Sequence, residues 1–187
     1  MRPVTSLGEQ LSFLRRLAAS PLATGALAPS GRALARLMAS FADPKDRVLE
    51  LGAGTGALTG GLLTRGVKPE RIVSVEYSAG FCALLRAKFP AVTVIEGDAY
   101  DLDATLPAGL GLFDAAVSGL PLRNIAHAKR KALIGSALDR LKPGAPFVQF
   151  TYAPGPPHAA FNDVLVKATP WVLANLPPAR VWIYRRL

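Results

Sequence analysis

The stretch VLELGAGTGALT, residues 48–59, decides how the rest of the chain is read. An apolar run ends around Glu50, glycines stand at 52, 54 and 56, and helix-forming residues follow. Glycine lets the backbone turn tightly and approach a ligand closely, and the start of the next helix offers unpaired N–H groups. A strand, a glycine turn and a helix in that order make a cradle for a nucleotide-like ligand. Dinucleotide-binding folds use a similar turn, so the loop alone discriminates poorly. Here the spacing is Gly-x-Gly-x-Gly, Glu76 closes the next apolar run, and a third run, Val92 to Ile95, leads into Gly97-Asp98.

Working outward, short apolar runs alternate with helical patterns. Arg47 to Leu51, Arg71 to Glu76, Val92 to Ile95, Phe113 to Val117 and Phe147 to Tyr152 read as strands, rich in Val, Ile or Phe and closed by Gly, Asp or Ser. Gly56 to Arg65, Ala79 to Lys88 and Ala126 to Arg140 read as helices, the last stopped by Lys142-Pro143-Gly144. After Tyr152 the rhythm changes: WVLANL and ARVWIYRR, separated at Pro177-Pro178, read as a final antiparallel hairpin. The expectation is an α/β fold, a seven-stranded, mostly parallel sheet with helices on both faces. Upstream, Thr5 to Ala19 reads as an amphipathic basic helix, with Leu7, Leu11, Phe13, Leu14 and Leu17 on one side. A second helix is expected from Pro29, with Ser30 as N-cap and Leu34, Leu37, Met38 and Phe41 facing inward. This divides the chain into an N-terminal helical region, 1–46, and a ligand-binding domain, 47–187.

A chain of 187 residues, half of them hydrophobic, suits one well-buried core. The single cysteine, Cys82, excludes an internal disulfide or a Cys-type zinc framework, and no metal site is expected. The uncharged stretches are interrupted by Pro and Gly, and nothing reads as a secretory signal or a membrane span, which points to the cytoplasm. The net charge of +9, with basic residues gathered at both ends, predicts attraction to nucleic acid or to an acidic membrane surface.

The order Glu50, Gly52-x-Gly54-x-Gly56, Glu76, Gly97-Asp98 resembles the class I S-adenosylmethionine-dependent methyltransferases, with their Rossmann-like fold. The resemblance implies that Gly52, Gly54 and Gly56 approach the amino-acid part of the cofactor, Glu50 supports the loop, Glu76 accepts from both ribose hydroxyls, and Asp98 bonds the adenine amine. Tyr77 and Ala99 line the same cofactor, whose product is S-adenosylhomocysteine. Ser118-Gly119-Leu120-Pro121 then falls at the end of the fourth strand, beside the sulfonium methyl. Adenine methyltransferases carry an Asn or Asp there and an aromatic that stacks on the extruded base; here Ser118 and Leu122 stand instead, which disfavours nucleic acid as the acceptor.

FLRRLAASPLATGALAPSGRALARLM (13–38), VEYSAGFCALLRAKFPAVTVIEGDAYDL (75–102), SGLPL (118–122), PGAPFVQFTYAP (143–154) and NLPPARVWIYRR (175–186) together resemble the bacterial phospholipid N-methyltransferases over nearly the whole chain. That resemblance implies stepwise N-methylation of phosphatidylethanolamine and its mono- and dimethyl forms toward phosphatidylcholine, at the inner face of the cytoplasmic membrane, with the N-terminal helix as anchor. An ethanolamine nitrogen, with a pKa of about 10, is neutral in only about one part in a thousand at pH 7, so the site must help it lose a proton. Ser118, Tyr152 and Arg180 are the candidate catalytic residues: Arg180 for the lipid phosphate, and Tyr152, Tyr100 or a water on Asp98 or Ser118 for the proton. His127 and His158 read as solvated. The rival readings are an rRNA adenine methyltransferase and a catalytically silent module that keeps the fold.

Overall fold

A computed structural model describes residues 29–122 and 125–187. The amphipathic stretch Thr5 to Ala19 lies outside those residues. The apolar runs become β1 (Val48–Leu51), β2 (Ile72–Glu76), β3 (Thr93–Glu96), β4 (Ala115–Ser118), β5 (Phe147–Thr151), β6 (Val164–Val172) and β7 (Ala179–Arg186). They form one seven-stranded sheet in the order β3-β2-β1-β4-β5-β7-β6. The first five pair in parallel, and β7 runs antiparallel to both of its neighbours. The helices are α1 (Pro29–Ala39), α2 (Ala57–Arg65), α3 (Ala79–Lys88), α4 (Leu102–Thr105) and α5 (His127–Asp139).

Successive strand residues point to opposite faces, and each face is covered. On one, Leu49, Leu51, Val73, Val75, Ala116, Phe147, Trp182 and Tyr184 pack with Leu133, Ile134 and Ala137 of α5. On the other, Val48, Ala115, Val117, Val148 and Val181 pack with Leu34 and Met38 of α1 and Leu58 and Leu62 of α2. Every residue of β1, β2 and β4 is buried, as unbroken apolar runs in a doubly covered parallel sheet require. The chain leaves β1 toward β2 and β3, then returns to place β4 on the other side of β1. At that reversal the connections part and leave a crevice beyond the C-terminal ends of the strands, where ligands bind in such sheets.

Two local expectations change. Ser30 lies inside α1, which already includes Pro29, rather than ahead of it as its cap; proline suits the first helical turn because its missing N–H has no partner there anyway. Leu37 and Phe41, partly buried, pack against the core beside Leu34 and Met38 as expected, and Ala35 and Ala39 complete the stripe. In the hairpin, only Trp171 and Val172 of WVLANL are strand; β6 begins at Val164 and passes through Pro170 with a register shift between Ala168 and Trp171. An edge strand tolerates that proline because one side of its ladder has no partner. Among the described residues no helix is long and apolar enough to cross a membrane.

Candidate active site

The glycine loop leaves β1 at Leu51 and takes left-handed backbone angles at Gly52, Gly54 and Gly56, with φ of 69°, 54° and 82°. Glu76, at the end of β2 and nearly buried, holds this turn: Oε2 accepts the Gly54 amide at 2.9 Å and Oε1 the Ser78 amide at 2.8 Å. Each carboxylate oxygen keeps a second lone pair, so two hydroxyls can still be received. Next along the sheet edge, Oδ1 of Asp98 accepts the Tyr100 amide at 2.9 Å, which fixes the turn after β3.

Gly52, Val75, Glu76, Tyr77, Asp98, Ala99, Tyr100 and Leu120 line one cavity of about 310 Å³. Five residues expected to touch the cofactor therefore meet in a single hollow: Gly52, Glu76, Tyr77, Asp98 and Ala99. The others stand around it. Gly56 lines a separate hollow behind the loop, between α1, α2 and Phe89. Glu50 lies fully buried beneath, where Oε2 accepts from Thr59 at 2.7 Å and Ser74 at 2.6 Å. It supports the loop through the first turn of α2 and the middle of β2, and Oε1 has no partner among the described residues. Burial pushes its carboxyl above the usual range, the two hydroxyls only partly offsetting this.

Ser118 ends β4, fully buried, and its hydroxyl accepts the Leu120 amide at 3.3 Å, closing a tight turn. The loop then crosses the glycine turn closely. The Gly119 amide donates to the Leu51 carbonyl at 2.8 Å, and a Cβ on Gly119 would stand 2.6 Å from the Gly52 carbonyl oxygen. No larger residue fits there without moving one backbone against the other. Leu122, at the place of the missing aromatic, is buried in the core.

Beyond β4, on the α5 face, the sheet end carries neutral polar groups. Gln149 is the residue that sequence reasoning missed: it pairs in register with Ser118 on one side and Trp182 on the other. Fully buried, it donates through Nε2 to the Leu120 carbonyl at 2.9 Å, while its Oε1 has no partner among the described residues. A lone amide inside the apolar run FVQFT was the available signal. The Thr151 hydroxyl accepts from Trp182 Nε1 at 3.0 Å. Arg180, opposite Thr151, donates from Nε to the Thr169 carbonyl at 2.8 Å and lies 5.1 Å from the Trp182 ring centroid. Its two terminal nitrogens bond nothing among the described residues.

Ser118 and Arg180 thus share a face, and Tyr152 does not join them. It follows β5 out of phase and packs edge-on against Phe150, with centroids 5.4 Å apart, toward the α1 face. Burial raises the Tyr152 phenol, partly countered by a hydrogen bond with Asn175, and burial likewise raises Tyr100. His127 is exposed, but His158 is buried rather than solvated: the rings stack at 4.1 Å, and Nδ1 of His158 meets the Ala159 carbonyl at 2.7 Å. Neither histidine lines the cavity. Among the described residues, no three potential metal ligands come together.

The sequence signature of the methyltransferase domain family matches residues 48–144, the span from β1 past α5. The chain belongs to the methyltransferase domain family. Cavity and family together assign S-adenosylmethionine to this methyltransferase, and the cavity's lining sets two carboxylates, Glu76 and Asp98, beside the apolar Val75 and Ala99 and two tyrosines. The methyltransferase is 33% identical over 144 residues to an ornithine lipid N-methyltransferase of Singulisphaera acidiphila, covering 74% of each chain. It is 39% identical to ribosomal RNA small subunit methyltransferase A of Anaeromyxobacter dehalogenans over 58% of its own length but only 38% of that protein's. Its fold matches that of the CcbJ methyltransferase from Streptomyces caelestis with a TM-score of 0.65 at 17% identity, covering 85% of this chain and 96% of the other.

Proposed function

We propose that this methyltransferase N-methylates phosphatidylethanolamine and its mono- and dimethyl forms toward phosphatidylcholine, at the inner face of the cytoplasmic membrane. The observation that carries the reading is the loop after β4: Leu122 is buried where a base-stacking ring would stand, and Ser118, fully buried, turns its hydroxyl to the Leu120 amide. Among the described residues of that loop no aromatic ring offers a face to a planar base. A flexible headgroup needs no such platform, and the relative from Singulisphaera acidiphila is named for an aminolipid acceptor.

When bound, S-adenosylmethionine supplies an activated methyl group on a sulfonium that leaves readily. The residues of the chain act by placing the acceptor. Arg180 is anchored through Nε and keeps its terminal nitrogens for an anionic oxygen, which suits the lipid phosphate. The Trp182 ring beneath it excludes water from that side. Tyr100 lines the cavity and, its phenol raised by burial, stays protonated at neutral pH as a hydrogen-bonding group, while Tyr152 faces away; the amine proton leaves to solvent.

The test is transfer of labelled methyl groups to anionic vesicles containing phosphatidylethanolamine, with ornithine-lipid vesicles and ribosomal RNA as parallel acceptors. Label in phosphatidylethanolamine is expected, and it should fall in Arg180→Ala while S-adenosylmethionine affinity holds. Label in RNA alone overturns the reading, and label in ornithine lipid alone moves the acceptor to another lipid amine.

A further inference from the structure

β6 and β7 meet in the turn 173–178, LANLPP, beyond the C-terminal end of the sheet and next to Thr151 and Arg180. The turn is held from inside. Asn175 is buried, its amide donates to the Val172 carbonyl at 3.1 Å, and its side chain donates to the Pro177 carbonyl at 2.7 Å. This leaves Leu173 78% and Leu176 82% exposed at the tip. Trp171, 37% exposed, lies two residues before the turn near the end of β6.

A stiff, convex tip bearing two bare leucines suits a fluid apolar phase better than a rigid partner. The apolar tip is two leucines, against the roughly 20–30 residues a side of a stable protein interface. The surrounding charge selects the kind of phase. Residues 164–187 contain no Asp or Glu; Arg180 stands directly after the turn and Lys167, exposed, lies further along β6, whereas Arg185 and Arg186 lie at the far end of β7, Arg186 paired with Asp139 and Asp163. Leucines in the acyl boundary, tryptophan at the headgroups and cations outside them form the pattern of an element seated in an anionic bilayer.

We propose that the β6–β7 turn is a membrane-insertion element, with Leu173 and Leu176 entering an anionic lipid surface and setting the Arg180 side of the crevice against the headgroups. Its purpose rests on the lipid-acceptor reading, whereas its observable, vesicle binding, does not. In sedimentation of the full chain with phosphatidylglycerol–phosphatidylethanolamine vesicles, Leu173→Asp/Leu176→Asp should bind about tenfold more weakly or worse. Leu187→Asp is the matched control, 83% exposed at the other end of β7, and should bind within about twofold of the parent. Residues 1–28 are present in all three proteins, so the difference belongs to the turn. Both variants should keep the parent's thermal midpoint and its S-adenosylmethionine affinity.

Equal binding by all three proteins overturns the proposal, as does equal loss in the control. So does a dimer that the turn variant dissociates in the absence of lipid, which would assign the tip to a second copy. Selective loss of vesicle binding supports it even if the parent labels only RNA, a result that would fell the lipid-acceptor reading alone.

Discussion

Over β1, β2 and β3 the sheet end presents carboxylates, while over β4, β5 and β7 it presents a hydroxyl, an amide and a guanidinium already tied to backbone. The first half is braced by turns: Glu76 and Asp98 are positioned by amides in the turns that follow their own strands or in the adjacent glycine loop. The second is assembled across the fold, Gln149 reaching Leu120 over 29 positions and Trp182 reaching Thr151 over 31. The carboxylate half is thus held by turns at the ends of β1, β2 and β3, and the other half by side chains from separate strands. The two should respond differently to damage.

The largest effect should come from Glu76→Ala, which removes the loop brace and both acceptor oxygens. Charge-assisted bonds of this kind contribute roughly 1.5–3 kcal/mol each, so calorimetry should show S-adenosylmethionine binding weakened about a hundredfold or more. Unchanged affinity would move the cofactor out of this cavity. Gln149→Leu should split the two halves. With the Leu120 carbonyl left to the Leu122 amide alone, a loss of about 1–2 kcal/mol in positioning lowers kcat about tenfold, while the cofactor Kd stays within about twofold. If Kd rose in step with the fall in kcat, the halves would be one unit.

The smallest effect belongs to Glu50→Gln, beneath both. Burial raises the Glu50 carboxyl above its ordinary 4.5, so the folded chain holds that proton more tightly than the unfolded one. The stability linked to that proton is complete below about 4.5 and is lost as pH rises through the folded-state value. Glutamine can still accept from Thr59 and Ser74 and does not ionise. Denaturation midpoints followed from about pH 4 to pH 8 should flatten, with a gain near neutrality on the order of 1 kcal/mol. An unchanged slope would show that Glu50 titrates as an ordinary carboxylate.

The same contrast explains what could be read from the sequence. Glu76 and Asp98 stand where short apolar runs meet turns, and backbone geometry places such residues at the sheet edge without knowledge of their neighbours. The helix Ala79–Lys88 was legible to the residue, because Ser78 caps it and its hydroxyl accepts the Phe81 amide. Gln149 was not, because an amide within FVQFT gains meaning only when β4 and β7 flank it. Tyr152 shows the cost of one step of phase: a single residue past Thr151 puts its ring toward Phe150 and away from Arg180. The first hairpin strand was misplaced for a related reason, since Pro170 reads as a break until β6 is known to be an edge.

Gly119 limits how this site could be given a new acceptor. With the Gly52 carbonyl 2.6 Å from where its Cβ would lie, no side chain can be added at 119 without disturbing the cofactor turn. Leu120 leans on the same glycine and Leu122 is committed to the core. The loop after β4 is therefore a poor target for engineering, and new specificity would have to be introduced from the far wall, at Gln149, Thr151 and Arg180. The seat of the methyl donor and the range of its acceptors can be redesigned separately everywhere except at that one glycine.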